Sequence, residues 1–202
     1  GLSMARNVAL PYVKGKYIYM MDSDDVLSCP EALQICYEYA ERNQSDFIFF
    51  DGERFIDNVS HCHSSITRTY LVDENKKYEG AFLLNLMLDT RKHNSVVWLL
   101  LINHNYLNRL KLKFYPGIIH EDELFTTILT LSSESIYCLK QQSFIKHRIR
   151  SASTMGLKYT KRNLNCYLTV IDELFKFQNS PIIRKFARYT LSRVFYTGHV
   201  IR

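Results

Sequence analysis

Tyr17-Ile18-Tyr19-Met20-Met21 runs straight into Asp22-Ser23-Asp24-Asp25. The apolar, aromatic-rich half reads as a buried strand. The polar half crowds three carboxylates into four positions. Carboxylates so close repel one another unless a cation or hydrogen-bond donors absorb the charge. The end of a strand in an α/β sheet is also where ligands bind. The stretch therefore predicts an acidic, metal-binding site at a strand terminus. The plainer alternative is a helix N-cap, with Asp or Ser preceding Pro30-Glu31-Ala32-Leu33. A cap needs one such residue, not three.

Outward from this stretch the pattern alternates. Residues 3–13 read as a short helix, with Ser3 as N-cap and Pro11 marking its end. Lys14-Gly15 turns the chain into strand 16–21. Residues 30–44 form an amphipathic helix with Leu33, Cys36, Tyr37 and Ala40 at helical spacing. Phe47-Ile48-Phe49-Phe50 is a second buried strand. Strand, helix and strand in this order predict a βαβ unit and parallel pairing. Residues 57–76 read as loop or short strands. Helices are expected at 79–88, 106–110 and 121–131, strands at 135–140 and 143–149, and two closing helices at 160–178 and 182–197, split by Asn179-Ser180-Pro181.

With 202 residues, 47% of them hydrophobic, the chain can bury a real core. The apolar run from Val96 to Ile102 is too short to span a bilayer. Cys29, Cys36, Cys62, Cys138 and Cys166 are odd in number and scattered, which fits free thiols in a reducing cytosol. His61-Cys62-His63 lacks a second ligand pair at zinc-finger spacing and reads as surface strand or loop. The net charge of +6 sits in the tail. Residues 156–202 hold nine Lys and Arg against Asp172 and Glu173, and the first 155 residues, with the acidic site, are close to neutral.

Three blocks in order carry a resemblance. Gly1-Leu2-Ser3-Met4-Ala5-Arg6-Asn7, Lys14-Gly15-Lys16-Tyr17-Ile18 and Asp22-Ser23-Asp24-Asp25 resemble the middle of a family-two glycosyltransferase of GT-A fold, with its Asp-x-Asp (DxD) motif. Trp98 and then the segment from Phe114 through His120-Glu121-Asp122-Glu123 to Phe125 are similar to the acceptor-side Glu-Asp motif of that family. His147-Arg148-Ile149-Arg150 with Ser153 resembles the strand that follows it. The fold implied is α/β, with a mostly parallel twisted sheet flanked by helices. It lacks its first nucleotide-binding strands and carries C-terminal helices. Residues 1–155 would be a partial catalytic domain and 156–202 a basic helical appendage.

The activity implied is metal-dependent, inverting transfer of a hexose-type sugar. The donor would be a nucleotide-diphosphate sugar, and the acceptor a glycan or lipid-linked glycan of a cell-surface polysaccharide. The chemistry asks for these residue types independently. A leaving pyrophosphate gains charge that a divalent cation neutralises, and oxygen ligands suit Mg or Mn. By resemblance Asp24 contacts the metal and Asp22 the nucleotide ribose. Asp25 is open between a metal contact and capping the next helix. Arg6 faces the donor diphosphate, or else makes an ordinary surface salt bridge. Asp122 is the general base with Glu121 beside it, and Trp98 and His120 lie on the acceptor side. The same Glu121-Asp122-Glu123 run also suits the first turn of a helix. His147 is either a further metal ligand or a satisfied strand histidine.

Two rivals remain at this point. Asp22-Ser23-Asp24-Asp25-Val26-Leu27 also resembles the first motif of haloacid-dehalogenase-like phosphatases, with Asp22 as nucleophile and Asp24 as acid-base. The third reading is a truncated, non-catalytic interaction domain. The family's opening donor-site strands are not found here, so an N-terminally truncated chain, inactive alone, is expected. The resemblance implies a cytoplasmic enzyme. In the last helix Ile183, Phe186, Ala187, Val194 and Phe195 form an apolar stripe beside Arg184, Lys185 and Arg188, which either docks on the anionic inner face of a membrane or packs on the catalytic domain and leaves the charges solvated. No nucleic-acid-binding motif accompanies the basic tail.

Overall fold

The computed structural model describes residues 1–56, 64–66, 69–149 and 160–197. His61-Cys62-His63, Arg150, Ser153 and the predicted boundary near residue 155 lie outside the described residues.

Helix α1 (Leu2–Ala9) opens the chain and tightens into a single 3-10 turn, Leu10–Tyr12, at Pro11. Pro lacks the N–H that a continuing α-helix needs. Gly1, not Ser3, is the N-cap residue, and Ser3 is buried within the helix. Strand β1 (Tyr17–Tyr19) is followed by the acidic turn and by a two-residue strand, β2 (Val26–Leu27), absent from the expectations. Helix α2 (Ala32–Asn43) stops at Gln44, which takes the left-handed conformation with φ 48°. The second strand, β3 (Phe47–Phe55), runs on past the four expected residues, and β4 (Ser64–Ile66) pairs with it.

The sheet order is β1-β5-β3-β6-β2, with β4 beside β3. Here β5 (Leu100–Asn103) is the strand hidden in the apolar run Val96–Ile102. It pairs antiparallel with both β1 and β3, so those two point the same way without touching. Strand β6 (Ile136–Arg148) runs parallel to β3, the single parallel pairing among the described strands. The mostly parallel sheet is thereby corrected to a mixed one. A βαβ unit fixes the relative direction of two strands, not their adjacency. The two strands expected at 135–140 and 143–149 are one strand, whose register against β3 slips between Leu139 and Ser143.

Strand β3 explains the layering. Phe47, Ile48, Phe49 and Phe50 are all buried. A pleated strand sends alternate side chains to opposite faces, so an uninterrupted apolar run is one covered on both sides. Phe47 and Phe49 pack with helices α3 (Gly80–Asp89), α4 (His104–Leu110) and α5 (Glu121–Leu131). Ile48 and Phe50 pack beneath α2 with Cys36, Tyr39 and Ala40. Each such fully buried side chain contributes about 1.5–3 kcal/mol. Gly80 allows α3 to press on α5: a Cβ there would lie 1.6 Å from the Thr130 carbonyl oxygen.

Helices α6 (Lys161–Phe177) and α7 (Pro181–Thr197) form a further layer over α3 and α5. Ile183, Phe186, Val170 and Leu174 close a third cluster with Leu84, Leu88 and Leu124. Of the two readings of the α7 stripe, packing on the body of the chain is the one found. Ile183, Phe186, Ala187 and Val194 are buried against the body of the chain, and only Phe195 of the stripe is exposed. Lys185 pairs with Asp89 of α3. Among the described residues no helix is long and apolar enough to cross a membrane.

Candidate active site

Asn7 fixes the first element. Its side-chain amide donates to the Phe114 carbonyl at 2.7 Å, and its oxygen accepts from the Phe114 N–H at 2.8 Å. This double bond pins α1 to the segment ahead of α5. Phe114 is buried and stacks on Phe125, with ring centres 4.0 Å apart. The Arg6 guanidinium then lies over the Phe114 ring at 4.9 Å.

From there Arg6 reaches both acidic motifs. One terminal nitrogen, Nη1, is 2.5 Å from Asp122 Oδ1 and 3.3 Å from Glu121 Oε1; the other, Nη2, is 3.2 Å from Asp22 Oδ1. Asp22 opens a turn closed by the Asp25 N–H donating to its carbonyl. Asp122 and Glu121 begin α5, and the second Asp122 oxygen accepts from the Val97 N–H at 3.4 Å. Burial pushes the Asp122 carboxyl up to about 6, opposed by Arg6 and reinforced by Glu121. Burial also raises Asp22, with Arg6 opposing and Asp25 adding to the rise. The two blocks of carboxylates, at the end of β1 and the start of α5, thus form one site. The surface salt-bridge reading of Arg6 is overturned, since its side chain is only 10% exposed.

Asp25 does not cap α2. The cap position belongs to Glu31, and β2 intervenes. The Asp25 carboxylate is fully buried and lies 2.9 and 3.1 Å from His147 Nδ1, and it accepts from the Arg148 N–H at 3.1 Å. The hydrogen bond to Asp25 raises the His147 pKa, against the effect of burial. The His147 ring stacks on Trp98, with centroids 4.8 Å apart and planes 11° apart. Trp98 is buried against β3 at Gly52, where an added Cβ would meet its ring at 3.1 Å. Arg148 Nε donates to the Asp24 carbonyl at 3.0 Å. His147 and Arg148, at the end of β6, thus lie against the turn that follows β1 and holds Asp24 and Asp25.

His120 is the N-cap residue of α5, in a left-handed conformation with φ 68°. Its ring stacks on Tyr167 of α6 at 4.3 Å, and its Nε2 lies 3.1 Å from the Asn163 amide. Burial lowers its pKa. Glu123, the third acid of the run, turns inward and is buried between His93 and Arg193. Sequence reasoning gave no role to Asn7, Glu123, His93 or Arg193. Asn7 carried a signal, as the neighbour of Arg6 in a short helix. The Glu123–Arg193 pairing spans 70 positions and leaves no periodic trace.

A divalent cation is testable against these contacts. Among the described residues no three His, Cys, Asp or Glu side chains converge as a ready cage. Asp22 is engaged by Arg6, and Asp25 by His147. Asp24 offers hard oxygen. The carboxylate-to-imidazole contact of Asp25 with His147 is the arrangement that orients metal-ligating histidines.

The family model described as Glycosyl transferase family 2 matches residues 1–105. An uncharacterized glycosyltransferase of Methanocaldococcus jannaschii is 24% identical over 171 residues, covering 84% of this chain and 54% of the relative. The poly(ribitol-phosphate) beta-N-acetylglucosaminyltransferase TarP of Staphylococcus aureus is 25% identical over 188 residues, covering 90% and 53%. Among solved structures, S. aureus TarS residues 1–349 superpose with a TM-score of 0.70 at 15% identity, covering 100% of this chain and 55% of that one. The same protein with UDP-GlcNAc gives 0.69 at 17%, covering 95% and 52%. The chain spans about half the length of these relatives. These matches set aside the phosphatase reading of Asp22 and Asp24. With its mixed sheet, its helices on both faces and a family match over just over half its length, the chain belongs to glycosyl transferase family 2 and has the GT-A fold.

Proposed function

We propose that the protein containing this chain transfers a sugar from a nucleotide-diphosphate donor to a hydroxyl of a glycan or lipid-linked glycan, with inversion at the anomeric carbon. The observation that carries the reading is Arg6, one guanidinium bonded at once to the donor-side Asp22 and the acceptor-side Asp122. A UDP-linked donor is supported by the neighbour TarS, crystallised with UDP-GlcNAc and with UDP. A polymer bearing free hydroxyls as acceptor is supported by TarP, named for transfer to poly(ribitol-phosphate).

In this mechanism Asp122 takes the acceptor proton as the hydroxyl oxygen bonds to the anomeric carbon. The bond from that carbon to the diphosphate oxygen breaks, and its electron pair leaves with the diphosphate. A general base works best with a pKa near the working pH, and burial brings Asp122 to about 6. Arg6 is placed to exchange a carboxylate for a phosphate oxygen. Glu121 shares Arg6 with Asp122 and holds the guanidinium in line. Asp24 and His147 would hold Mn or Mg, which supplies charge neutralisation at the leaving diphosphate. Five carboxylates stand here against Arg6, Arg148 and His147, so an anionic donor gains from such a cation.

Calorimetric titration of UDP with Mn into the full-length protein tests the donor half. Binding that requires Mn and is lost in Asp24→Asn supports the reading. Equal binding without Mn, or in the variant, contradicts the metal role.

A further inference from the structure

The turn that carries Asp122 is poorly supported by its own helix. The first four N–H groups of a helix have no partner within it. His120 holds a left-handed conformation that disfavours a non-glycine residue, and its side chain makes no capping hydrogen bond. Three consecutive carboxylates, Glu121, Asp122 and Glu123, follow it. The helix dipole favours acids at this end, but three adjacent charges also repel one another, and cations between them relieve that repulsion.

Two arginines do so from opposite sides. Arg6 of α1 takes Glu121 and Asp122. Arg193 of α7 takes Glu123, whose other oxygen lies 3.3 Å from His93 Nε2. Arg193 also donates to the Tyr167 hydroxyl at 3.1 Å and packs over the Tyr167 and Tyr189 rings. Tyr167 in turn lies flat on His120, while Asn163, in the capped first turn of α6, reaches His120 Nε2. The residues on both sides of Glu121 and Asp122 are therefore held by the last two helices.

We infer that Arg193 is a positioning residue for the transfer reaction: through Glu123 and Tyr167 it fixes the turn that presents Asp122 to the acceptor. This rests on the reading of Asp122 as the proton acceptor. The C-terminal helices then serve the chemistry, and their buried contacts are more than a cover for apolar surface. Arg193 bonds to Glu123 and Tyr167 and makes no ion pair with Asp22 or Asp122, so its loss should act on turnover and spare donor affinity.

The test compares Arg193→Met, Arg193→Lys, Tyr167→Leu and the control Lys185→Met in the full-length protein, with UDP-GlcNAc as donor. Lys185 also ties α7 to the body of the chain, by pairing with Asp89, but lies outside the turn. Arg193→Met should lower kcat by about tenfold to a hundredfold, as expected for a misplaced reacting group, with donor KM within about twofold. Arg193→Lys should recover part of the loss, and Lys185→Met should keep wild-type kinetics. A folded Arg193→Met with unchanged kcat overturns the inference, as does a loss matched by Lys185→Met. If Arg193→Met fails to fold, Tyr167→Leu decides: it removes the ring beneath His120, and unchanged kcat there overturns the inference. Asp122→Asn is run alongside. Wild-type turnover in that variant defeats the underlying reading, whereas its loss together with a normal Arg193→Met defeats the positioning role alone.

Discussion

Arg6 and Asp122, 116 positions apart in the chain, meet at 2.5 Å in a site where both are largely shielded from water. The contact joins the start of the chain to the start of α5 and brings the two acidic motifs onto one cation. It also sets the proton affinity of the proposed base, because Arg6 opposes the rise that burial imposes on Asp122.

The first prediction concerns pH. A general base must be ionised, so turnover should fall about tenfold per unit below pH of about 6, the value to which Asp122 is raised. Arg6→Met removes the opposing charge while burial and Glu121 remain. The acid limb should then move to higher pH. A pH–rate profile of both proteins checks this, and a limb that stays in place or moves down rejects the pairing as a determinant of the base.

Glu123 gives a stability prediction. Burial alone would raise its pKa, but the hydrogen bond from His93 and the charge of Arg193 outweigh it and hold the group well below the usual carboxylate range. A depressed folded value means stabilisation that is complete above the unfolded pKa, about 4.3, and is lost as pH falls below it. Glu123→Gln leaves Arg193 without its buried partner and should cost about 3–5 kcal/mol at pH 7. Urea unfolding at pH 7 and pH 3.5 should show this cost shrinking at the lower pH. A difference that is the same at both values contradicts the ion-pair account.

Gly80 tests the packing. A methyl group there meets the Thr130 carbonyl, a backbone atom that cannot swing aside. Gly80→Ala should destabilise by at least the upper end of about 1–3 kcal/mol, although Ala favours a helix by about 1 kcal/mol over Gly. Equilibrium denaturation measures it; a neutral or stabilising effect would show that α3 and α5 do not approach as described.

Much of the architecture was legible because it follows local rules. The helices at 30–44, 121–131 and 182–197 and the strand at 47–50 announce themselves by period and by flanking breakers. Strand β5 did not. Its four residues, Leu100–Asn103, sit in a continuous apolar run behind a 3-10 turn, where no alternation separates strand from buried helix. Missing it made β1 and β3 look like neighbours. In the site, Asp22, Asp24, Glu121 and Asp122 stood out because dense acid at element ends needs a reason. The fate of Asp25 was hidden, since its partners His147 and Arg148 lie more than 120 positions away. The apolar stripe of α7 was open between a membrane and the body of the chain, because periodicity shows that a helix has a greasy side without naming what covers it. Here Leu84, Leu88 and Leu124 cover it.

The most direct test of the account is the turnover of Asp122→Asn in the full-length protein. The substitution keeps the shape of the side chain and removes its basicity. Transfer from the proposed UDP-sugar donor should fall by on the order of 10²–10⁴, while UDP affinity measured by calorimetry stays within about twofold, and the wild-type product should carry the inverted anomeric configuration. Near-normal turnover in Asp122→Asn, with UDP binding intact, would contradict the assignment of Asp122 as the group that accepts the proton.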